Sequence, residues 1–142
     1  MIEKYAAPLI LVREMGRLSG KTRFQKLACL LEARARQTSV RIGFSFRPYL
    51  HGPYSSELAR MVDQLVSEGL LQETAEVTSS GNIRYSYQLT QSGIEALDAF
   101  VGSGLVSSSF VDAAKDVVEE ARALPLPDLV ERAYSAYEEI GE

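Results

Sequence analysis

The chain is 142 residues long and 46% apolar, with one cysteine and one histidine. That suffices for one globular domain with a sizeable core, and no apolar run approaches the length of a membrane span. The net charge of −4 conceals a division: residues 1–60 carry 11 Lys and Arg against 4 Asp and Glu, and residues 61–142 carry 4 against 15. A uniformly basic nucleic-acid coat is therefore excluded, and an anion-attracting face separate from an anion-repelling one is expected. One Cys and one His complete neither a disulfide nor a structural metal site, so no metal and no cofactor are expected. The opening Met1-Ile2-Glu3-Lys4-Tyr5 lacks the cationic and long apolar stretches of a signal peptide, which makes the cytoplasm the expected compartment.

Ile2, Tyr5, Ala6, Leu9 and Ile10 recur at helical spacing, and Gly16 offers a stop. This first helix is expected either to kink at Pro8 or to begin close to Ala7, because proline lacks the amide hydrogen and crowds the carbonyl four residues back. Residues 17–20 read as a loop. Thr22 and Gln25 have capping-box spacing and start a second helix with the apolar stripe Phe24, Leu27, Ala28, Leu31 and Ala35. Cys29 reads as a small core residue within it. At about 100° per residue Arg23, Lys26, Arg34 and Gln37 converge on the opposite side, a three-cation face.

Over 41–55 the alternation Ile42, Phe44, Phe46 and the turn residues His51-Gly52-Pro53 predict a short extended segment and a turn. Ser55 can cap a third helix ending at Gly69, with Glu57 in its first turn and Leu58, Met61, Val62, Leu65 and Val66 inward. Stretches 70–77 and 83–89 flank Ser79-Ser80-Gly81-Asn82, and Ile83, Tyr85, Tyr87, Leu89 alternate with Arg84, Ser86, Gln88, which predicts a hairpin. Thr90 caps a fourth helix with Ile94, Leu97 and Val101 in the core. After a loop, Phe110, Ala113, Val117, Val118 and Ala121 mark a fifth helix. Leu126, Leu129, Val130, Ala133, Tyr137 and Ile140 mark a sixth, with Pro127 in its first turn.

Three helices, a two-stranded hairpin and another helix follow the order of a winged-helix domain, a variant of the helix-turn-helix plan. Tyr87-Gln88-Leu89-Thr90-Gln91-Ser92-Gly93 resembles the junction after the wing in bacterial and archaeal winged-helix regulators, with the MarR and PadR types as distant likenesses. More of the chain resembles the small YwgA-type family, through Gly20-Lys21-Thr22-Arg23-Phe24-Gln25-Lys26-Leu27, Gly52-Pro53-Tyr54-Ser55-Ser56-Glu57-Leu58, Leu65-Val66-Ser67-Glu68-Gly69-Leu70-Leu71 and the tail Leu124-Pro125-Leu126-Pro127. Panacea-type domains of toxin-antitoxin systems are a more distant likeness. The resemblance implies a mainly α fold with a β-hairpin wing: a winged helix-turn-helix over 1–102 and two additional C-terminal helices over 103–142. Those two helices are expected to pack on the domain or to form a homodimer interface. The resemblance brings no catalytic residue.

The first expected function is that of a DNA-binding transcriptional regulator; the alternative is a protein-interaction module, antitoxin-like or a complex-assembly subunit. Lys21, Arg23, Lys26 and Arg34 are the expected phosphate contacts. Ser55, Ser56, Arg60 and Gln64 stand where the third helix would enter the major groove, and Arg84 is the cation of the wing. Glu57, Asp63 and Glu68 on the outer face of that helix, and Glu73 and Glu76 beside the wing, repel phosphate. DNA binding is therefore expected to rest on Arg23 and Lys26 more than on the third helix, and this acidity favours the interaction module. The plain reading of any such charge cluster is a solvated face. His51 has no Ser, Cys or second His to work with and reads as a turn residue, while Tyr85 and Tyr87 read as core rather than base-stacking platforms. No enzyme is expected.

Overall fold

In the computed structural model, which describes residues 2–140, helix α1 runs Ile2–Met15 with Pro8 inside it. The helix thus starts well before Ala7, and the Lys4 carbonyl gains no amide partner from Pro8. Then follow β1 (Leu18–Ser19), α2 (Lys21–Arg36), α3 (Ser56–Ser67), β2 (Leu71–Val77), β3 (Ile83–Leu89), α4 (Gln91–Gly102), α5 (Ser108–Arg122) and α6 (Leu126–Ile140). The protein is mainly helical, with one three-stranded antiparallel sheet in the order β1-β3-β2. The hairpin pairs Leu71 with Leu89 at its base and Val77 with Ile83 at its tip. Strand β1, expected as loop, pairs Leu18 with Tyr87 and Ser19 with Ser86. Two residues cannot display an alternation; the free edge of β3 recruits them.

Helices α1 and α2 form the centre. Seven consecutive residues of α1, from Ala6 to Val12, are buried, and α2 buries Gln25, Lys26 and Glu32 together with its apolar stripe. Helix α2 touches α1, α5, α6, β1 and β3, so it has little solvent face left. Its buried polar side chains hold the long segment 37–55 that leads to α3. Fully buried Glu32 accepts the amide hydrogens of Ile42, Gly43 and Phe44 at 3.0–3.1 Å. Gln25 clamps Ser55 from both sides, donating to its carbonyl at 2.9 Å and accepting from its amide at 2.8 Å. Lys26 donates to the Pro53 carbonyl at 2.8 Å. These bonds satisfy irregular backbone that has no ladder of its own.

The capping box expected at Thr22 is therefore replaced. The N-cap is Gly20, with φ of 98° and no side-chain cap, and Gln25 is committed to Ser55. Ser55 and Thr90 cap α3 and α4 as expected, accepting from Leu58 and Gly93. Gly93 has a steric reason: a Cβ there would overlap the Leu70 carbonyl oxygen. Ile94, expected in the core, is exposed, as is Leu126.

Helices α5 and α6 pack on α1 and α2. Phe110, Ala113, Ala114, Val117, Val118, Ala121, Leu129 and Ala133 are buried there. Much of the two stripes is thus covered within one chain, while Leu126 and Tyr134 of α6 stay exposed. Among the described residues, no helix is long and apolar enough to cross a membrane.

Candidate binding face and cavity

The two charge halves meet inside the fold. Arg34 is not a free phosphate contact: it forms ion pairs with Asp116 at 3.5 Å and Glu120 at 2.5 Å on α5. Arg23, half-buried, donates to the Leu124 carbonyl at 3.2 Å. Lys26 does not face outward at all, being 2% exposed. The expected three-cation face is dissolved, because α5, the α5-α6 connection and the turn at Gly52-Pro53 cover the side of α2 that the helical wheel assigns to water. Arg17 similarly reaches Glu76 on the hairpin at 3.1 Å.

The outer side of α3 differs from expectation in the opposite sense. Glu57 turns toward α1, where Lys4 donates to it at 2.9 Å, and it also accepts the Ser45 amide; these bonds hold its carboxyl below the usual range. Glu68 accepts from the Tyr5 hydroxyl at 2.6 Å and from Gln64 at 3.0 Å. That pair lowers the Glu68 pKa and pushes Tyr5 up to about 12. Ser55 is fully buried as the helix cap, so it cannot read a base. What α3 leaves exposed is Ser56, Arg60, Asp63, Gln64 and Ser67, with the C-cap Glu68 beside them. Lys21 is exposed with its ammonium 4.5 Å from the Tyr85 ring centroid, and Arg84 is exposed on the hairpin. Val77 and Ile83 at the hairpin tip are 77% and 61% exposed.

Beside this face lies a cavity of about 290 Å³, bounded by the first turns of α2, the middle of α3, β3 and the turn that follows Pro48. Phe24 and Tyr87 meet edge to face on one wall, centroids 5.3 Å apart, and Tyr49 and Tyr54 stack tilted on another, also 5.3 Å apart. Leu58, Ala59 and Val62 supply apolar lining, with Asp63, His51 and Lys21 around them. Lys26 lines the cavity. Burial lowers its pKa to about 8, with the neighbouring Cys29 opposing, while burial pushes the Cys29 thiol up to about 12. Gly52, at φ of +101°, lets the turn close on the lysine stem; a Cβ there would sit 2.6 Å from Lys26 Cε. The bridge between Arg47 and Tyr54 closes the base of the turn, and the Tyr134 hydroxyl holds the Tyr49 carbonyl at 2.8 Å.

The segments around Gly20 and Gly52 that looked like separate motifs thus form one unit, in which Gln25 and Lys26 hold the backbone of Pro53 and Ser55. Sequence reasoning missed the cavity, since its walls come from four distant stretches. Among the described residues, no three His, Cys, Asp or Glu side chains gather as metal ligands.

No family model matches the chain. It is similar to the uncharacterized protein YwgA of Bacillus subtilis (strain 168), with 28% identity over 98 residues, 69% of this chain. The chain spans 56% of the length of that relative. This supports a YwgA-like kinship.

Proposed function

We propose that the protein is a winged-helix interaction module whose recognition face is α3 with the β2-β3 hairpin and whose partner is another protein. The order helix, strand, helix, helix, strand, strand, with β1 pairing onto β3, supports the winged-helix reading. Packing of α5 and α6 on α1 and α2 supports the choice of face, because it places the added helices away from α3's outer side. The observation that carries the choice of partner is the internal use of the basic half: Lys26, Arg34 and Arg23 serve the fold. On the α3 and hairpin face Lys21, Arg60 and Arg84 remain exposed to oppose phosphate, with Asp63 among them and with Arg41 and Arg47 exposed on segment 37–55, whereas the exposed Val77 and Ile83 pair suits a protein surface.

A second reading, a DNA-binding regulator, is favoured by one specific observation: Glu57 is engaged by Lys4 of α1, so Ser56, Arg60 and Gln64 are exposed with Asp63 and the Gln64-bonded Glu68 as their acidic neighbours. Titration of duplex DNA at about 50 and 200 mM salt separates the two, since each phosphate contact adds about 0.9 to the logarithmic salt slope. The interaction module predicts a slope no steeper than about 3, without sequence preference, and loss of a captured partner on Ile83→Glu or Arg60→Glu. A steeper slope with a preferred sequence, weakened by about 1–3 kcal/mol on Arg60→Ala, would establish the regulator instead.

A further inference from the structure

The cavity beside α3 holds a buried cation without a counter-charge. Among the described residues no carboxylate lies within ion-pair distance of Lys26, whose partner is the neutral Pro53 carbonyl. An ammonium has three donors, and a charge kept from water is costly unless it is paired. A structural strut to one carbonyl needs only a neutral donor.

The walls around it are aromatic: Phe24 with Tyr87 on one side, Tyr49 with Tyr54 on the other. A cavity of about 150 Å³ already accepts benzene, so 290 Å³ accommodates one aromatic ring and an acidic substituent. We propose that this cavity binds a small aromatic carboxylate, its ring between the two aromatic pairs and its carboxylate on the Lys26 ammonium. Asp63 in the lining disfavours more highly charged anions such as phosphate esters. The site is independent of whether the recognition face takes protein or DNA.

The test is a titration of the full-length protein with phenylacetate and, as the uncharged match, phenylacetamide, followed by amide chemical shifts. At pH 7 phenylacetate is expected to bind at least tenfold more tightly than the amide and to shift residues of α2, α3 and the 49–54 turn. Lys26→Met should abolish the preference, bringing acid and amide to equal affinity. In the wild-type protein phenylacetate affinity should fall about tenfold per pH unit above about 8, as Lys26 loses its proton, with the amide unaffected. The titratable groups that line the cavity with Lys26 are Lys21 on α2, Tyr49, His51 and Tyr54 on the turn, Asp63 on α3 and Tyr87 on β3, and Cys29 neighbours it on α2. Cys29 and Tyr87 are raised beyond that window and stay neutral through it. Equal affinity for acid and amide overturns the proposal, as does binding of neither at about 10 mM, or a preference that survives Lys26→Met. Should that variant fail to fold, the wild-type pH series decides: a flat phenylacetate affinity above pH 8 overturns the proposal as well.

Discussion

Replacing Lys26 by Met keeps the length and helix propensity of the side chain and removes its charge. The folded environment lowers the lysine from 10.5 to about 8, so at about 1.4 kcal/mol per pH unit it disfavours the ammonium by roughly 3 kcal/mol relative to the neutral amine. Met removes that cost, while the Pro53 carbonyl loses its donor at about 1–2 kcal/mol. Lys26→Met is thus expected to be more stable at pH 7 by about 1–2 kcal/mol, a rise in melting temperature of about 3–8 °C for a chain of this size. The sign with pH follows from the lowered value: between pH 8 and 10.5 the unfolded chain binds more protons at Lys26 than the folded one, so wild-type stability from this group rises with pH. The gap between the two proteins should therefore close by about 1 kcal/mol from pH 7 to 9. Cys29 and Tyr5, both pushed up to about 12, are present in each protein and drop out of the difference. Thermal unfolding followed by circular dichroism at three pH values measures it. A variant less stable than wild type at pH 7, by an amount independent of pH, would refute the desolvation argument and make the ammonium a net support.

Glu32→Gln presents donors to the amides of Ile42, Gly43 and Phe44, and should cost about 2–4 kcal/mol in urea unfolding, with segment 37–55 gaining hydrogen exchange. Gly93→Ala gains about 1 kcal/mol of helix propensity but drives a Cβ into the backbone oxygen of Leu70, so a net loss of more than about 1 kcal/mol is expected by the same measurement. Arg34→Ala breaks partly exposed pairs with Asp116 and Glu120 and should change stability by less than about 1 kcal/mol, and DNA affinity not at all. Because most of the apolar stripe of α5 and the Leu129, Ala133 and Ala136 line of α6 are already covered, sedimentation at tens of micromolar, on the scale of weak association, should return a monomer.

Features decided within a few residues were legible in the sequence. Ser55 and Thr90 cap helices because a hydroxyl reaches an amide three positions on, and the alternating sequence of β3 marks it as a strand, although Ile83 is exposed and Ser86 buried. The apolar stripes of α3, α5 and α6 name their buried faces, since each is covered on one side only. The candidate face was legible only in part: Ser56, Arg60, Gln64, Lys21 and Arg84 are exposed as read, while Lys26, Arg34 and Ser55 are not free.

What only the tertiary structure decided is the fate of polar residues on elements enclosed by others. A helical wheel assigns the non-apolar side of α2 to water, but α5, α6 and segment 37–55 arrive there from 86, 104 and 10 to 30 residues away, and Arg34, Arg36, Glu32 and Gln25 bond to them. The cavity has the same origin, its walls drawn from α2, α3, β3 and a turn that no local pattern connects. Sequence alone thus determined the helices and the hairpin, since caps and periodicity act over one to four residues, but not β1, which is a strand only because β3 pairs with it. Lys26 lines a cavity with its ammonium on the Pro53 carbonyl rather than reaching solvent, because burial is a property of what packs opposite, which only the folded chain brings near.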